Sequence, residues 1–594
     1  MTVVGFDFGT SNSVISAVVG GKVINYLDEE GAAVPSVACY EAGSVIIGRE
    51  ARRRVAGAGL GVSGNVVRSP KSLLGTDTVH IGGVSRNVVD VVADVLKEVK
   101  HVALSSPARR LDAVDLAVAT IPVHFDGRKR AQLREAFAKA GIRVHQWIHE
   151  PFAALYSHFA TQQDPSDALR RLNRSLVLVF DWGGGTLDLT LCSIRDGVIH
   201  QVRNDGTDQC GGDHFDYAIL ETVSQAARER LKTDKPAHPY SDARARLLDA
   251  CERAKVDLST RDSSLIYVDR YFQDVDSAND SIEHSLTKSE LERATNQLIS
   301  AGIGRIESLL RGAGVATSQV AMCLATGGMI KMPAIRSRLN ELFGPERLVF
   351  SPSGGLAIAE GAAWVADHQS RLKLGKPIEL AIARGSYLPL FPTGASMPYG
   401  GLKTEANYGL YCVDPRDGHA KFQVVTPEHP QAEASAADPR RVLTTCALDV
   451  HRNATPNFER LELRVSIDQD LILHGEAHSS LQASRASFSV FDLEFSIETK
   501  WSTNSSEGAS HSEPTMPART MPHETGELSV RSNIGDRPAD DLVPGELLYQ
   551  TQPGYFDARL SPPKVQVNER LYYQPCAKCG RMINDPLCKC GPIR

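Results

Sequence analysis

The sequence predicts an α/β domain over residues 1–371, followed by a β-rich, sandwich-like domain over 372–498, a flexible linker over 499–570 and a small tail over 571–594. In the first segment, short runs of β-branched residues alternate with helical stretches, which is typical of α/β architecture. In the second, the helical pattern fades and apolar and polar residues alternate, which indicates strands. In the third, Ser, Thr, Pro, Glu and Gly dominate without periodicity, so too little apolar surface is available to offset the entropy of ordering.

The size and charge of the chain narrow the classes of function. A chain of 594 residues exceeds what one hydrophobic core usually holds, so several domains are expected. The 71 acidic and 65 basic residues give a net charge of -6 without a concentrated basic patch, which gives no strong evidence for nucleic acid as a partner. No stretch approaches the roughly 20 apolar residues that cross a bilayer, and no charged and then apolar leader precedes the first predicted strand. We therefore expect a cytoplasmic protein with no membrane partner.

An internal repeat lies within the α/β segment. A predicted strand over residues 3–7 ends in Asp7, and a turn of small residues and a second strand follow. The same order returns after the predicted strand over 176–180, which is followed by Asp181. The turn residues are Gly9, Thr10, Ser11 and Asn12 in the first copy and Gly183, Gly184, Gly185 and Thr186 in the second. The repeat predicts two similar lobes that face one another.

These turns suit phosphate groups. Glycine lets backbone amides approach an anion without obstruction by Cβ, so two such turns could hold a polyphosphate from both sides. An aspartate beside each turn would repel the phosphates by about 4 kcal/mol at about 4 Å and an effective dielectric constant near 20. Mg²⁺, which prefers oxygen ligands and keeps several waters, resolves this conflict if Asp7 and Asp181 hold it through water. A single turn of this kind is explained equally well as an ordinary tight turn or as a phosphate-binding turn, whereas two copies favour a phosphate site.

The two turns resemble the first and second phosphate loops of the Hsp70 family. Lys71 and Glu150 stand in segments that resemble two further family motifs, and Pro122 and Arg130 resemble the proline and arginine of the family's interdomain switch. The resemblance covers residues 1 to about 366 in the family order. It implies a two-lobed, actin-like ATPase domain that binds ATP or ADP with Mg²⁺, followed by a peptide-binding β-sandwich.

The resemblance also implies roles for individual residues. Lys71 would help to position the hydrolytic water, Glu150 would relay between nucleotide and domain interface, and Thr186 and Asp188 would orient the water. Asp7 and Asp181 complete the implied catalytic set. The further residues implied to contact the nucleotide are Gly211, Gly212, Asp213, Glu252, Lys255, Ser259, Gly327, Gly328 and Met329.

Two regions depart from the family pattern. Met329, Ile330 and Lys331 stand where the family usually has a hydroxyl residue and an arginine, and Val256 stands where many members have an arginine that stacks on the base. These departures leave adenine specificity open. The residues after the β-rich domain do not predict the family's helical lid, so we expect client binding that is weak or of another kind.

The cysteines fall into two groups. Cys576, Cys579, Cys588 and Cys590 could wrap one tetrahedral Zn²⁺, and four free thiols are the alternative. The other seven are scattered singly, mostly in apolar runs, and are predicted to be buried thiols. They are Cys39, Cys192, Cys210, Cys251, Cys323, Cys412 and Cys446.

The family resemblance implies an ATP-dependent chaperone with slow hydrolysis. Its implied partners are polypeptide clients, J-domain proteins and nucleotide-exchange co-chaperones. Two alternatives remain open. One is a small-molecule kinase of the same superfamily, since a fold alone does not define a function. The other is a nucleotide-sensing interaction protein that recruits partners through its cysteine tail.

Overall fold

The computed structural model describes residues 3–501 except 42, 55–61, 107–110, 232–237, 241–242, 274–279, 383–384, 400–401, 429–434 and 436, together with the two short strands 548–549 and 567–568. The predicted linker beyond residue 501, apart from those two strands, lies outside the described residues. The four tail cysteines Cys576, Cys579, Cys588 and Cys590 also lie outside them, so zinc binding stays a prediction.

The strands and helices have the following bounds. The first strands are β1 (Val3–Phe8), β2 (Asn12–Val19), β3 (Lys22–Tyr26), β4 (Val34–Pro35), β5 (Val37–Glu41), β6 (Ser44–Ile47), β7 (Val62–Ser63), β8 (Val66–Arg68), β9 (Thr78–Ile81), β10 (Val84–Asn87), β11 (Leu116–Ile121), β12 (Arg143–His149), β13 (Leu176–Trp182), β14 (Leu187–Arg195), β15 (Val198–Thr207), β16 (Ser263–Val268), β17 (Ile282–Thr287), β18 (Val320–Thr326), β19 (Leu348–Phe350) and β20 (Leu372–Leu374). The later strands are β21 (Ile378–Ala381), β22 (Tyr387–Phe391), β23 (Thr404–Tyr411), β24 (His419–Pro427), β25 (Arg440–Asp449), β26 (Arg460–Ile467), β27 (Leu473–Ser479), β28 (Arg485–Val490), β29 (Phe495–Glu498), β30 (Leu548–Tyr549) and β31 (Val567–Asn568). The helices are α1 (Gly48–Arg53), α2 (Val88–Ser105), α3 (Gly127–Lys139), α4 (Glu150–Ala160), α5 (Pro165–Arg171), α6 (Gly212–Leu231), α7 (Ala243–Asp257), α8 (Lys288–Gly312), α9 (Pro333–Phe343) and α10 (Ala357–Asp367).

The chain forms two compact units. Unit 1 comprises Met1–Leu372, Tyr399–Gly401 and Glu494–Trp501, and unit 2 comprises Lys373–Pro398, Leu402–Leu493 and Ser502–Arg594. The prediction placed residues 494–498 in the β-rich domain and residues 499–501 in the linker. In the structure these residues belong to unit 1, because β29 pairs with β15.

Unit 1 contains two sheets of the same design. In the first, neighbouring strands follow the order β12, β11, β1, β2, β3, and β4 also pairs with β2. In the second, the strands that lie wholly within unit 1 follow the order β19, β18, β13, β14, β15, β29. The strands β1 and β13 occupy equivalent places, since each pairs in parallel with a neighbour on one side (β11 or β18) and antiparallel with the next strand of its own hairpin. The predicted repeat is therefore a repeat of sheet topology, which brings the two aspartates to equivalent strand ends.

Both faces of the central strands are buried, which explains their continuous apolar runs. In β13, Val177 and Phe180 are fully buried, and in β1 Phe6 is as well. Helix α10 packs so closely on this core that glycine is required at two contacts. A Cβ at Gly5 would lie 2.2 Å from the backbone nitrogen of Ala363, and one at Gly361 would lie 1.8 Å from the carbonyl oxygen of Ala153.

Unit 2 is β-rich in the part that the structure describes. One sheet follows the order β22, β21, β24, β25, and another follows β23, β26, β27, β28. The hairpin predicted from alternating residues is confirmed, because β26 and β27 pair antiparallel and Leu461 and Val465 are fully buried. The sheets contact one another through Tyr408, whose hydroxyl donates to the carbonyl of Leu390 at 2.8 Å. The described part of unit 2 is therefore built mainly of two four-stranded sheets.

The helices of the described residues do not include one that is both long enough and apolar enough to cross a membrane. The seven cysteines predicted to be buried thiols are all buried and unpaired with one another.

Candidate functional site

Two aspartates lie at equivalent positions in the two sheets of unit 1. Asp7 is near the end of β1 and accepts a hydrogen bond from the Thr120 hydroxyl at 2.7 Å. Asp181 is near the end of β13 and stands directly across from Asp188 of β14. All three carboxylates are buried. The pKa of Asp181 is raised by this burial and also by the nearby charges of Asp188 and Asp7. The fold thus gathers carboxylates that lie far apart in sequence.

A lysine and a glutamate face this carboxylate group. Lys71 lies in the 3₁₀ turn Pro70–Leu73, which follows Ser69 in the left-handed conformation at φ 51°. Its Nζ donates to Oε1 of Glu150 at 2.6 Å, and both side chains are buried. Glu150 is the first residue of α4, where the helix dipole favours a negative charge. The two residues assigned to separate family motifs are therefore direct partners.

Acidic groups outnumber basic groups in this cluster. Burial raises the pKa of Asp181 well above its usual range, and the neighbouring Glu150 and Asp188 raise it further. Burial also raises the pKa of Glu150 to about 7, although Lys71 opposes that shift. Burial raises the pKa of Asp7 as well, against the opposing effect of Lys71. A bound cation would relieve this excess of negative charge.

Asp188 has a different environment from its neighbours. Its Oδ1 accepts from the backbone N–H of Val123 at 3.0 Å and lies 3.3 Å from Nδ1 of His124. Burial opposes its ionisation, but the charge and hydrogen bond of His124 and the hydrogen bond of Thr186 outweigh burial and lower its pKa. Burial likewise opposes a charge on His124, yet Asp188 raises its pKa. Sequence reasoning missed His124, and the only signal was a histidine two residues after Pro122.

The two predicted phosphate loops contact one another. The turn of the second loop is closed by a hydrogen bond from the Gly183 N–H to the Thr186 carbonyl at 2.9 Å. A Cβ at Gly184 would lie 2.1 Å from Oγ of Ser11, and one at Gly185 would lie 2.5 Å from the Thr10 side chain. Glycine is thus required where the loops meet, as expected for backbone that must approach another group closely. Gly9 and Asn12 flank the first turn.

Three further predicted segments join these loops. Gly212 and Asp213 donate their backbone N–H groups to the carbonyls of Gly183 at 3.1 Å and Gly184 at 2.8 Å. A Cβ at Gly212 would lie 2.9 Å from Sδ of Met329 and 3.1 Å from Nζ of Lys255. Gly211 makes a similarly close contact with Gly185, and Gly327 does so with Trp182 and Asp181. Gly328 follows and precedes the short 3₁₀ turn Met329–Lys331.

Charged partners occupy the end predicted to clasp adenosine. Glu252 binds Nη2 of Arg52 at 2.5 Å and also pairs with Arg68. Nζ of Lys255 lies 2.7 Å from Oδ1 of Asp216. No local sequence pattern links Arg52 or Arg68 to α7, so neither partner of Glu252 was predicted. Of the other predicted positions, Val256 is 61% exposed, Ile330 is buried in the turn that ends at Lys331, and Ser259 follows α7.

The predicted switch residues lie beside the cluster. Pro122 directly follows β11, and Arg130 of α3 is fully buried and donates its Nε to the Phe125 carbonyl at 2.9 Å.

Several buried polar atoms in the described part of the cluster have no partner within the protein. They are Oδ1 of Asp181, Oδ2 of Asp188 and Nε2 of His124. Buried polar groups normally have partners, so these atoms indicate that the site receives water or a ligand. The described residues contain no group of three or more His, Cys, Asp and Glu side chains arranged to ligate a metal. The unpartnered oxygens of Asp181 and Asp188 are carboxylate ligands of the kind that Mg²⁺ accepts, directly or through its own waters.

Comparison with known proteins identifies similar chains. The family model described as Hsp70 protein matches residues 62–373. The chaperone protein DnaK of Mycoplasmopsis synoviae is 30% identical over 413 residues, which cover 67% of this chain and 65% of that protein. DnaK of Mycoplasmopsis pulmonis is 29% identical over 409 residues, covering 67% of this chain and 64% of that protein. DnaK of Mycoplasma mycoides subsp. mycoides SC is 29% identical over 346 residues, covering 58% of this chain and 55% of that protein. The chain thus matches between 55% and 65% of the length of these relatives.

Proposed function

Because the chain belongs to the Hsp70 family, we propose that it is a Mg²⁺-dependent ATPase whose slow hydrolysis of ATP is coupled to polypeptide binding by the β-rich unit. The observation that carries this proposal is the meeting of two glycine turns beside the Lys71–Glu150 pair and the carboxylates Asp7, Asp181 and Asp188. Phosphoryl transfer to water depends mainly on positioning and charge neutralisation, and this arrangement provides groups for both.

The glycine turns would hold the phosphates. Backbone N–H groups in Gly9–Asn12 and Gly183–Thr186 would donate to phosphate oxygens, since the three glycines of the second loop carry no side chain that would obstruct the anion. In ATP-bound protein, the contacts of Gly184 and Gly185 with the first loop would open enough to admit the phosphates. Asp213, Lys255 and Met329, which pack around Gly212, would lie toward the adenosine.

The acidic groups would accept a cation. Asp7 and Asp181 would hold Mg²⁺ through its waters, and Oδ1 of Asp181 is available because it has no protein partner. When bound, the ion would neutralise phosphate charge beside these carboxylates. Lys71 would supply further positive charge at the transferring phosphoryl group, and its bond to Glu150 would hold the ammonium group in place.

Asp188 suits a role in orienting the attacking water. Val123 and His124 occupy its Oδ1, whereas Oδ2 has no partner and can accept a hydrogen bond from water. The lowered pKa of Asp188 makes it a weak base, so it would orient the water and not remove its proton. Thr186 would fix the same carboxylate. The water oxygen would bond to the γ-phosphorus, the bond to ADP would break, and the proton would leave with the phosphate product.

The substrates and partners of the β-rich unit also belong to the proposal. An extended polypeptide client would bind to this unit, and J-domain and nucleotide-exchange co-chaperones would act on hydrolysis and release. The sequence after the β-rich unit does not predict a helical lid, so bound peptide should dissociate quickly. A fluorescent peptide released on addition of ATP would support the coupling, and an unchanged release rate would contradict it.

Substitution Lys71→Ala tests the ATPase. We expect hydrolysis to fall by roughly 100- to 1,000-fold while nucleotide affinity changes little, since Lys71 would act mainly on the developing charge. Single-turnover assays with labelled ATP and binding calorimetry measure both quantities. Lys97→Ala is the matched control, because Lys97 is an exposed lysine on α2.

The products of the same assay separate the alternatives. Free phosphate supports the ATPase, and phosphate on an added sugar or other small molecule would favour a kinase. Nucleotide binding without hydrolysis, even with a J-domain protein present, would favour the nucleotide sensor.

A further inference from the structure

A segment that follows the β-rich unit in sequence adds a strand to the second sheet of unit 1. Strand β29 adds to β15, with Val198 opposite Glu498 and His200 opposite Ser496. Phe495 and Ile497 point into the core, where both are almost fully buried. We name residues Glu494–Trp501 the returning segment. Its burial and regular pairing make it an integral part of unit 1.

One buried amide side chain connects the returning segment to β12. Gln201 of β15 is fully buried, and its Oε1 accepts the backbone N–H of Phe495 at 3.0 Å. Its Nε2 donates to Nδ1 of His149 at 3.2 Å. The ring of His149 also packs on the ring of Phe495, with 5.5 Å between the centroids. Gln201 thus forms both of its hydrogen bonds only when the segment is in place.

His149 in turn adjoins the candidate catalytic cluster. It ends β12 and immediately precedes Glu150, the first residue of α4, whose carboxylate binds Lys71 at 2.6 Å. A change in the backbone or ring of His149 would therefore turn the base of the Glu150 side chain.

The other end of the returning segment contacts the same helix. The ring of Trp501 lies 5.4 Å from that of Tyr156 in α4 and 4.9 Å from that of His368, which follows α10. The Trp501 carbonyl accepts a hydrogen bond from the Ser166 hydroxyl at 3.4 Å. The segment consequently holds α4 near its first residue and again along its length.

We propose that Gln201 and His149 are positioning residues for Glu150, and that the returning segment Glu494–Trp501 keeps them in register. Loss of the segment would leave the buried Gln201 amide without one partner and remove the ring that packs on His149. Buried polar groups left without partners are strongly disfavoured, so these side chains would rearrange and move Glu150 relative to Lys71. The catalytic part of this inference rests on the proposed ATP hydrolysis.

The test uses the full chain with Gln201→Met, which keeps the side-chain length and removes both hydrogen bonds. We expect the single-turnover rate constant to fall about tenfold because Glu150 would no longer hold Lys71 in place, with nucleotide affinity within twofold. Gln162→Met is the matched control, because Gln162 is exposed at the end of α4.

The pH–rate profile separates positioning from a general loss of stability. Glu150 faces Lys71, Asp7 and Asp188, and its pKa of about 7 is held down by Lys71 against the effect of burial. If Gln201→Met moves Glu150 away from Lys71, the acid limb of the profile should shift to higher pH. His149→Asn, which retains a hydrogen-bonding group, should keep most of the rate, whereas His149→Leu should lose about as much as Gln201→Met.

A second variant acts on the returning segment itself. Ile497→Ala should speed amide hydrogen exchange in β15 and lower hydrolysis severalfold, and the double variant with Gln201→Met should lose little more than either change alone. Ile282→Ala, which also truncates a fully buried isoleucine but in the two-stranded sheet of β16 and β17, should lower stability similarly but leave hydrolysis within twofold.

Hydrogen exchange without nucleotide distinguishes failure of this inference from failure of the proposed function. Gln201→Met should speed exchange in both the returning segment and the first turn of α4. Independent exchange at these two places would overturn the inference, whatever the hydrolysis rate. If exchange at the two places is coupled but the wild-type protein hydrolyses no ATP, the proposed function alone is overturned. If Gln201→Met hydrolyses ATP at the wild-type rate and with the wild-type pH profile, the positioning role is overturned.

Discussion

The two hairpins that open the sheets of unit 1 share their topology but differ in what surrounds their aspartates. Asp7 in β1 stands across from Val14 and accepts a hydrogen bond from Thr120. Asp181 in β13 stands across from Asp188, and its Oδ1 has no partner. Equivalent backbone positions thus have different charge environments, so the second hairpin carries more of the proposed chemistry.

The same hairpins differ at their outer edge. Strand β3 is the last strand on its side of the first sheet among the described residues, whereas β15 is covered by β29. Only the second hairpin therefore pairs with a segment from beyond the β-rich unit. A repeated fold becomes asymmetric here through one added strand.

The largest expected effect comes from exchanging the two aspartates separately for asparagine. We expect Asp181→Asn to reduce ATP hydrolysis by about 100-fold and Asp7→Asn by about tenfold, because the former removes the carboxylate that has an unoccupied oxygen. Single-turnover hydrolysis at saturating Mg²⁺ measures both. Equal losses would mean that the difference in hydrogen bonding does not matter for the reaction.

Substitution of His124 should have a smaller effect on hydrolysis. His124→Phe removes a partner of Asp188 Oδ1, so we expect a loss of about tenfold, and His124→Gln should lose less because it can still donate. The raised pKa of His124 reflects Asp188 and Asp208, against burial and Lys129. The protonated form is therefore favoured below that pKa and lost as pH rises through it.

A pH–rate profile of wild type and His124→Gln checks this assignment. Wild-type activity should fall as pH rises through the titration of His124, and the glutamine variant should lack that step. A step of the same size and position in both proteins would assign the titration to another group.

The smallest expected effect concerns stability without nucleotide. The pKa values of Asp181, Asp7 and Glu150 are raised, so the folded state binds more protons than the unfolded state between the usual carboxyl range and about pH 7. The free energy of unfolding should therefore increase as pH falls through this window, by about 1–2 kcal/mol for this cluster.

Thermal unfolding of the nucleotide-free protein measures that trend. Asp181→Asn should raise the melting temperature at pH 7 and flatten its dependence on pH, and Asp7→Asn should do so less. A melting temperature that falls steadily from pH 7 to pH 5.5 in wild type would contradict the assigned charge states.

Much of the architecture is predictable because it rests on local patterns. The repeat of strand, aspartate and small-residue turn predicted both hairpins and their turns, since strands and tight turns depend on residues close in sequence. Alternation identified the β26–β27 hairpin, and the helical pattern identified α3, which Asp126 caps by accepting the Lys129 N–H at 2.9 Å. Family motifs supplied Lys71 and Glu150 individually.

Long-range contacts decided the rest. No local signal links Gln201 to Phe495, His124 to Asp188 or Arg68 to Glu252, because each pair is far apart in sequence and meets only when sheets and helices pack. Burial then sets the charge states of the carboxylates, which composition alone does not reveal. The sequence pattern of the returning segment likewise predicts the end of a β-rich domain. Only its pairing with β15 places it in unit 1. A sheet edge can pair with any extended segment of suitable apolar pattern, so the pattern alone does not identify the partner strand.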